Sequence, residues 1–288
     1  MALSALSGDE QGILFVQLCN VLDPGVAVAL SSVSNELRAA TRVPLQQLKT
    51  DYEAAAALCR KLGHSNCKEL REAKAVNWYH SVRPRRGQGL TADELKLLGR
   101  IGSVLPALKE LWLKQPAAGP DGVRQLAAGL GAGALPAVAV LRIFDTHVGD
   151  AGASALAAAL GQGALPRLKT LQLSSAAIGD AALVALAPAL RRLPALEGLY
   201  LYGNPFEGVA ALVATPPPAG APPPTTGGLA KLKWLDLSRT QITDAGCATL
   251  AAALDRDALP ALEKLFLNGI PASAAAKAAV YAARADLK

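Results

Sequence analysis

Leucine returns at fixed spacing along most of this chain. Leu105-Pro106-Ala107-Leu108 leads to Leu111 and Leu113. Leu135-Pro136-Ala137-Val138 leads to Leu141 and Ile143, and Leu165-Pro166-Arg167-Leu168 leads to Leu171 and Leu173. The pattern returns at Leu193 with Leu196, Leu199 and Leu201, at Leu229 with Leu232, Leu235 and Leu237, and at Leu259 with Leu262, Leu265 and Leu267. The starts lie 30, 30, 28, 36 and 30 residues apart. Such a period marks a stacked solenoid, since one unit cannot bury its own apolar face and is covered by the next.

The unit from Leu135 to Ala164 shows the grammar. Leu141-Arg142-Ile143 alternates apolar and polar positions, which predicts a short strand with one buried face. Val148-Gly149-Asp150-Ala151-Gly152 predicts a turn, and Asp150 is placed to cap a helix, because its carboxylate can accept from orphan amides. The helix runs from Ala151 to Leu160, with Leu156 and Leu160 on one face. Gly161 and Gly163 end it. The same parts recur as Ile178-Gly179-Asp180 with Leu186 and Leu190, and as Ile242-Thr243-Asp244 with Leu250 and Leu254. An earlier, degenerate unit has Leu70, Ala73, Val76 and Trp78 at the same spacing. Its helix is predicted over Leu90 to Ile101, with Thr91 or Asp93 near the cap and 81–89 as a loop. The expected fold class is α/β: a horseshoe solenoid with parallel inner strands and outer helices.

The ends and one insert break the rhythm. Residues 1–69 predict helices over Asp9 to Leu22, Val26 to Thr41 and Leu45 to Leu62, forming a helical N-terminal cap or a separate docking segment. Residues 70–288 form the solenoid, closed by a capping helix over 273–288 with Ser273 at its start and Tyr281 turned inward. Residues 214–228 carry two triple-proline runs. They account for the 36-residue spacing and predict an extended loop on the outer side.

Composition narrows the setting. Apolar residues make up 51% of 288, enough for a large core, although much of that is alanine. The net charge of +6 is modest and spread along the chain, which does not make a nucleic-acid footprint. Cys19, Cys59, Cys67 and Cys247 do not space as a disulfide framework, so reduced thiols and a cytoplasmic or nuclear setting are expected. The N-terminus lacks a basic region before an apolar run and does not read as a signal peptide. No run approaches the length of a membrane helix.

Strand residues flanking the buried leucines belong on the concave face, because side chains alternate. Seven of the twelve aromatics fall there: Tyr79, Trp112, Phe144, Tyr200, Tyr202, Trp234 and Phe266. Strand propensity explains aromatics in strands but not their choice of the wet side. Trp, Tyr and Arg are the residue types enriched in binding hot spots. Together with Arg142 and Asp236 these residues form the candidate partner-binding set. Charges on this face are mixed, with Glu110, Lys114 and Lys264 added to Arg142 and Asp236. Catalysis finds little support. Cys59, His64 and Cys67 lack a fourth ligand and read as two helix cysteines flanking a turn. The aspartates that recur once per unit read as structural caps. No phosphate-binding loop, dinucleotide fingerprint or serine-nucleophile motif occurs, and no cofactor is expected.

The unit length, the strand–helix alternation and the Gly-Asp-x-Gly turn resemble the leucine-rich-repeat family, its ribonuclease-inhibitor-like subfamily most. The resemblance covers Leu105 to about Leu267 and implies a non-catalytic scaffold that binds a protein partner. The family places Asn or Cys after the strand, whereas here the position holds Pro116, Thr146, Ala176, Asn204, Thr240 and Ile270. Differently bonded turns in the same solenoid are expected. The run Leu22-Asp23-Pro24, Ala27, Leu30, Val33-Ser34 and Leu37 resembles an F-box. It implies a substrate receptor of a ubiquitin ligase, with Leu22, Pro24, Leu30, Val33 and Leu37 meeting the ligase adaptor. The usual Leu-Pro opening and closing Trp are absent. Aromatic stacking also keeps an RNA-binding module as an alternative.

Overall fold

The computed structural model describes residues 7, 20–33, 35–78, 89–114, 119–213, 229–284 and 287. They fall into two compact units, one from Met1–Ala73 and Val104–Ala107, the other from Lys74–Ser103 and Leu108–Lys288.

The first unit is helical. Predicted helix 9–22 falls on residues outside the described set up to position 19. Asn20 to Asp23 form a turn instead, with the Asp23 amide donating to the Asn20 carbonyl at 3.0 Å. Helix α1 (Gly25–Ser32) ends where Ser31 and Ser32 donate their hydroxyls back to the carbonyls of Val28 and Ala29, at 2.8 and 2.7 Å. Helix α2 (Asn35–Lys61) then runs unbroken through Pro44. The expected division between Thr41 and Leu45 is therefore misplaced. Pro44 removes one donor, toward the Ala40 carbonyl, while Leu48, Ala55, Leu58 and Leu62 continue one buried stripe down the helix and its exit turn. Helix α3 (Cys67–Glu72) starts at Asn66, whose side chain accepts from the Glu69 amide at 2.9 Å. Across the intervening turn the Cys59 and Cys67 sulfurs lie 3.5 Å apart, both buried. Burial pushes the Cys59 thiol up to about 12.

The second unit is the repeat array. Its strands are β1 (Ala75–Asn77), β2 (Glu110–Lys114), β3 (Val140–Phe144), β4 (Thr170–Gln172), β5 (Gly198–Tyr200), β6 (Trp234–Asp236) and β7 (Lys264–Phe266). They form one sheet in sequence order, every pair parallel. Registers align Val76, Leu111, Leu141, Leu171, Leu199, Leu235 and Leu265 in one rung, all at most 1% exposed. Each Leu-x-Leu thus sends its leucines to the core and its flanking residues to the other face. The helices between strands are α4 (Ala92–Arg100), α5 (Gly119–Gly129), α6 (Gly149–Gly161), α7 (Asp180–Arg191), α8 (Ala210–Val213) and α9 (Asp244–Leu254), followed by α10 (Ala274–Ala282). Consecutive helices pack on one another through small residues. The tightest approach joins Gly99 and Gly129, where an added Cβ would overlap the Leu126 or Lys96 carbonyl oxygen. Thr91 and Glu94 form a reciprocal capping box on α4. Ser273 caps α10, and the Tyr281 hydroxyl donates to the Leu265 carbonyl at 3.0 Å. The proline-rich insert 214–228 and the loop 81–88 lie outside the described residues.

The turns depart from expectation. Helix α6 begins at Gly149, not Ala151, and no side chain caps it. Asp150 does not cap its own helix. Its carboxylate accepts from the Gly179 amide at 3.0 Å, 29 residues on. Asp180 likewise accepts from Gly208 at 2.7 Å, and Asp244 from Ser273 at 2.6 Å. In these three units the aspartate therefore staples one helix start to the next, whereas Asp121 of α5 pairs with Arg124 of its own helix. The aspartate's place in the first turn, near the positive helix end, suits the charge as well. Asn204 is a second bridge. Its Oδ1 accepts from Ala176 and Ile178, both at 3.0 Å, and its Nδ2 donates to Leu173 at 2.7 Å and Leu201 at 2.8 Å. Thr240 ties only its own turn, donating to Leu237 at 2.8 Å. The residue just before this position takes a left-handed φ in five repeats: Asp145, Ser175, Gly203, Arg239 and Gly269.

Candidate functional site

The face of the sheet opposite the helices carries three rungs of side chains. The central rung, fixed by strand register, is Asn77, Trp112, Arg142, Gln172, Tyr200, Asp236 and Phe266. On one side of it run Glu110, Val140, Thr170, Gly198, Trp234 and Lys264. On the other run Lys114, Phe144, Ser174, Tyr202, Ser238 and Asn268. Ser174, Tyr202, Ser238 and Asn268 accept through their carbonyls from the turn residues of the preceding repeats, at 2.7–3.1 Å. Trp112, Arg142, Phe144, Tyr200, Tyr202, Trp234, Asp236 and Phe266 all sit here, half-buried. Tyr79 lies outside the described residues.

Cations partly cover these rings, a feature sequence spacing does not reveal. The Arg142 guanidinium stacks 4.4 Å above the Trp112 ring, one strand away. Lys114 lies 5.4 Å over Phe144 while pairing with Asp145 at 3.2 Å. Arg239 sits 5.5 Å from Tyr202, and Lys233 5.9 Å from Trp234. Each cation attracts the negative face of its ring and shields part of it from water. This makes an aromatic-rich wet face tolerable and leaves the remaining ring surface for a ligand. Tyr200 lies back along its own strand, its Cε2 placed 3.1 Å from where a Cβ on Gly198 would stand.

Two features of this face look incomplete. Tyr200, Tyr202, Asp236, Ser238, Arg239, Phe266, Asn268 and Gly269 line an open cavity of about 610 Å³ over β5 to β7. At the other end, Trp112 Nε1 and Arg142 Nε are buried with no hydrogen-bond partner among the described residues. Asp236 spends one oxygen on the Ser238 amide at 2.9 Å.

The other sequence candidates take different places. In the helical unit Leu22 is 4% exposed, and Leu30 packs on the Ala27–Leu48 cluster. Pro24 is half-buried, and Val33 is 72% exposed. The Leu37 side chain lies outside the described residues. His147 is exposed, and His64 stands 3.9 Å from Glu69. Among the described residues no group of three or more His, Cys, Asp or Glu could hold a metal ion. No described helix is long and apolar enough to cross a membrane.

Residues 139–157, 165–187 and 228–251 match the Leucine Rich repeat family. No curated protein matches the chain in sequence. Among solved structures, internalin C2 from Listeria monocytogenes is similar at a TM-score of 0.47 and 20% identity, over 79% of each chain. A TLR13–ssRNA13 complex is similar at 0.40 and 18% identity, over 70% of this chain and 23% of the other. Likeness this distant adds nothing to what the repeats establish. The matched segments hold strands β3, β4 and β6 with the helices that follow them, so the repeats are leucine-rich repeats and the fold they build is an α/β leucine-rich-repeat solenoid.

Proposed function

We propose that the protein is a non-catalytic recognition scaffold that binds a protein partner on the open face of its sheet. The observation that carries this is the continuous central rung from Trp112 to Phe266, with half-exposed aromatics bordering an open cavity of about 610 Å³. Rigid aromatics supply buried area at small entropic cost, and mixed charges fix orientation. Trp112, Arg142, Phe144, Tyr200, Tyr202, Trp234, Asp236 and Phe266 are the contact residues, with Tyr79 extending the set. Helix α10 closes the C-terminal end of the array, since terminal repeats need caps. The repeat spacing of 28–30 residues resembles that of the ribonuclease-inhibitor-like subfamily. Reduced thiols fit a cytoplasmic or nuclear setting, in keeping with the free, buried Cys59, Cys67 and Cys247.

Affinity purification with mass spectrometry, comparing wild type with Trp112→Ala/Tyr200→Ala/Trp234→Ala, tests this reading. A folded triple variant that loses a specific partner supports it, and identical partner lists refute it. The exposed Val26, Val28, Val33 and Val43 favour a second reading, in which the first unit docks a ubiquitin-ligase adaptor. Burial of Leu22 and Leu30 leaves that motif fewer side chains to offer. Adaptor binding lost in Val33→Asp supports it, and no adaptor binding by the wild type refutes it.

A further inference from the structure

We propose that the β2–β3 end of the open face is a carboxylate subsite, built to take an acidic side chain of a partner peptide. The proposal rests on the recognition reading above and names the chemistry it requires at one place. Trp112 Nε1 and Arg142 Nε are both buried and, among the described residues, both without an acceptor. Each is a donor only, so the missing group must be an acceptor. Trp112 and Arg142 are register partners on adjacent strands, with the guanidinium 4.4 Å from the indole ring. Neighbouring parallel strands lie about 4.8 Å apart, so both side chains can reach one ligand group.

Charge selects the kind of acceptor. Lys114 is engaged with Asp145 at 3.2 Å and with the Phe144 ring. Arg142 has no carboxylate partner among the described residues, and its guanidinium stacks on the indole. A planar guanidinium edge presents Nε–H and Nη–H side by side, which matches the two oxygens of a carboxylate. The indole N–H then supplies a third donor from the next strand. Tilting the guanidinium off the ring presents all three hydrogens to the same group. Glu110, on the same face of β2, and Asp145, at the β3 exit, bracket the site. A nucleic-acid backbone would run its phosphates against both acids, whereas a single carboxylate fits between them.

The test is a random-peptide phage selection on the full-length protein. Kd values of the selected consensus peptide then follow from fluorescence anisotropy for wild type, Arg142→Gln, Arg142→Glu and Trp112→Phe. Selected peptides are expected to share one Asp or Glu position. Arg142→Gln should weaken the consensus peptide about tenfold or more. Trp112→Phe, which keeps the ring and removes only the N–H, should weaken it about threefold to tenfold. Replacing the acidic position of the peptide by Asn or Gln should abolish the difference between wild type and Arg142→Gln. Arg142→Glu should shift selection toward Lys or Arg at that position. Circular dichroism melts confirm that each variant folds. Peptides without a shared acid, affinity unchanged in Arg142→Gln, no enrichment at all, or binding of single-stranded RNA in place of peptide each overturn the proposal. If peptide binding is lost in Tyr200→Ala and Trp234→Ala but shows no acidic preference, this subsite falls and the open-face reading stands. If none of these substitutions changes binding, both fall.

Discussion

Replacing Asn204 by Ala should be among the most damaging single changes outside the leucine core. The side chain is 1% exposed and makes four hydrogen bonds within 3.0 Å, two accepted from Ala176 and Ile178 and two donated to Leu173 and Leu201. Alanine leaves both amides buried and unpaired. An unsatisfied buried donor costs about 1–3 kcal/mol, and the carbonyls keep a second lone pair, so the amides dominate. With some turn relaxation the loss is about 3 kcal/mol. That is a large part of the roughly 5–15 kcal/mol that holds a domain folded. Thr240→Ala removes one bond at the equivalent position of the next repeat and should cost about 1 kcal/mol. Urea unfolding of the full chain gives both values by linear extrapolation. Hydrogen exchange should quicken first at the Ala176 and Ile178 amides, in the repeat before the substitution. Asn204→Ala costing no more than Thr240→Ala, or faster exchange confined to its own repeat, would refute the bridging role.

Three further outcomes follow from turns, helix packing and burial. Ser175→Gly should stabilise by about 0.5–1 kcal/mol, because Ser175 holds a φ of 50° that glycine adopts freely, and a lower melting temperature contradicts this. Gly129→Ala should destabilise by about 3 kcal/mol, since its Cβ would overlap the Lys96 carbonyl oxygen and force α4 and α5 apart, and a wild-type melting curve contradicts it. The Cys59 thiol, normally near 9.0, is raised to about 12 in the fold, first by burial and then by Cys67. The unfolded chain therefore loses this proton first. The stabilising contribution is complete below pH 9 and fades as pH rises toward 12. Cys59→Ala should flatten the fall in unfolding midpoint above pH 9, and an unchanged slope would contradict the assignment.

The fold was legible because its signal is the period itself. Leu111 and Leu113 repeat as Leu141 and Ile143 and again as Leu171 and Leu173, and a side-chain period of two then assigns the faces. What escaped was carried between repeats. Asp150 looks like a cap when read within its own unit, yet its partner amide stands 29 residues on. The spacing of Asp150, Asp180 and Gly208 contained a hint, since aspartate and receiving amide share the period. The unbroken helix through Pro44 escaped for another reason. Pro44 is a local breaker, and the buried stripe from Leu48 to Leu62, set by tertiary packing, outweighs it. On the open face, alternation placed Trp112, Tyr200 and Phe266 on one rung. The Arg142–Trp112 stack and the two unfilled nitrogens depend on rotamers, which spacing does not encode.

The central claim is that recognition belongs to the open face and not to the helical face. The direct measurement is quantitative partner capture by three folded proteins: wild type, Gln172→Arg and Val184→Arg. Gln172 is half-buried in the middle of the central rung, and Val184 is 61% exposed on α7. Loss of the specific partner in Gln172→Arg, with full retention in Val184→Arg, is the predicted result. Retention in Gln172→Arg with loss in Val184→Arg would contradict the account and move the binding surface to the helices.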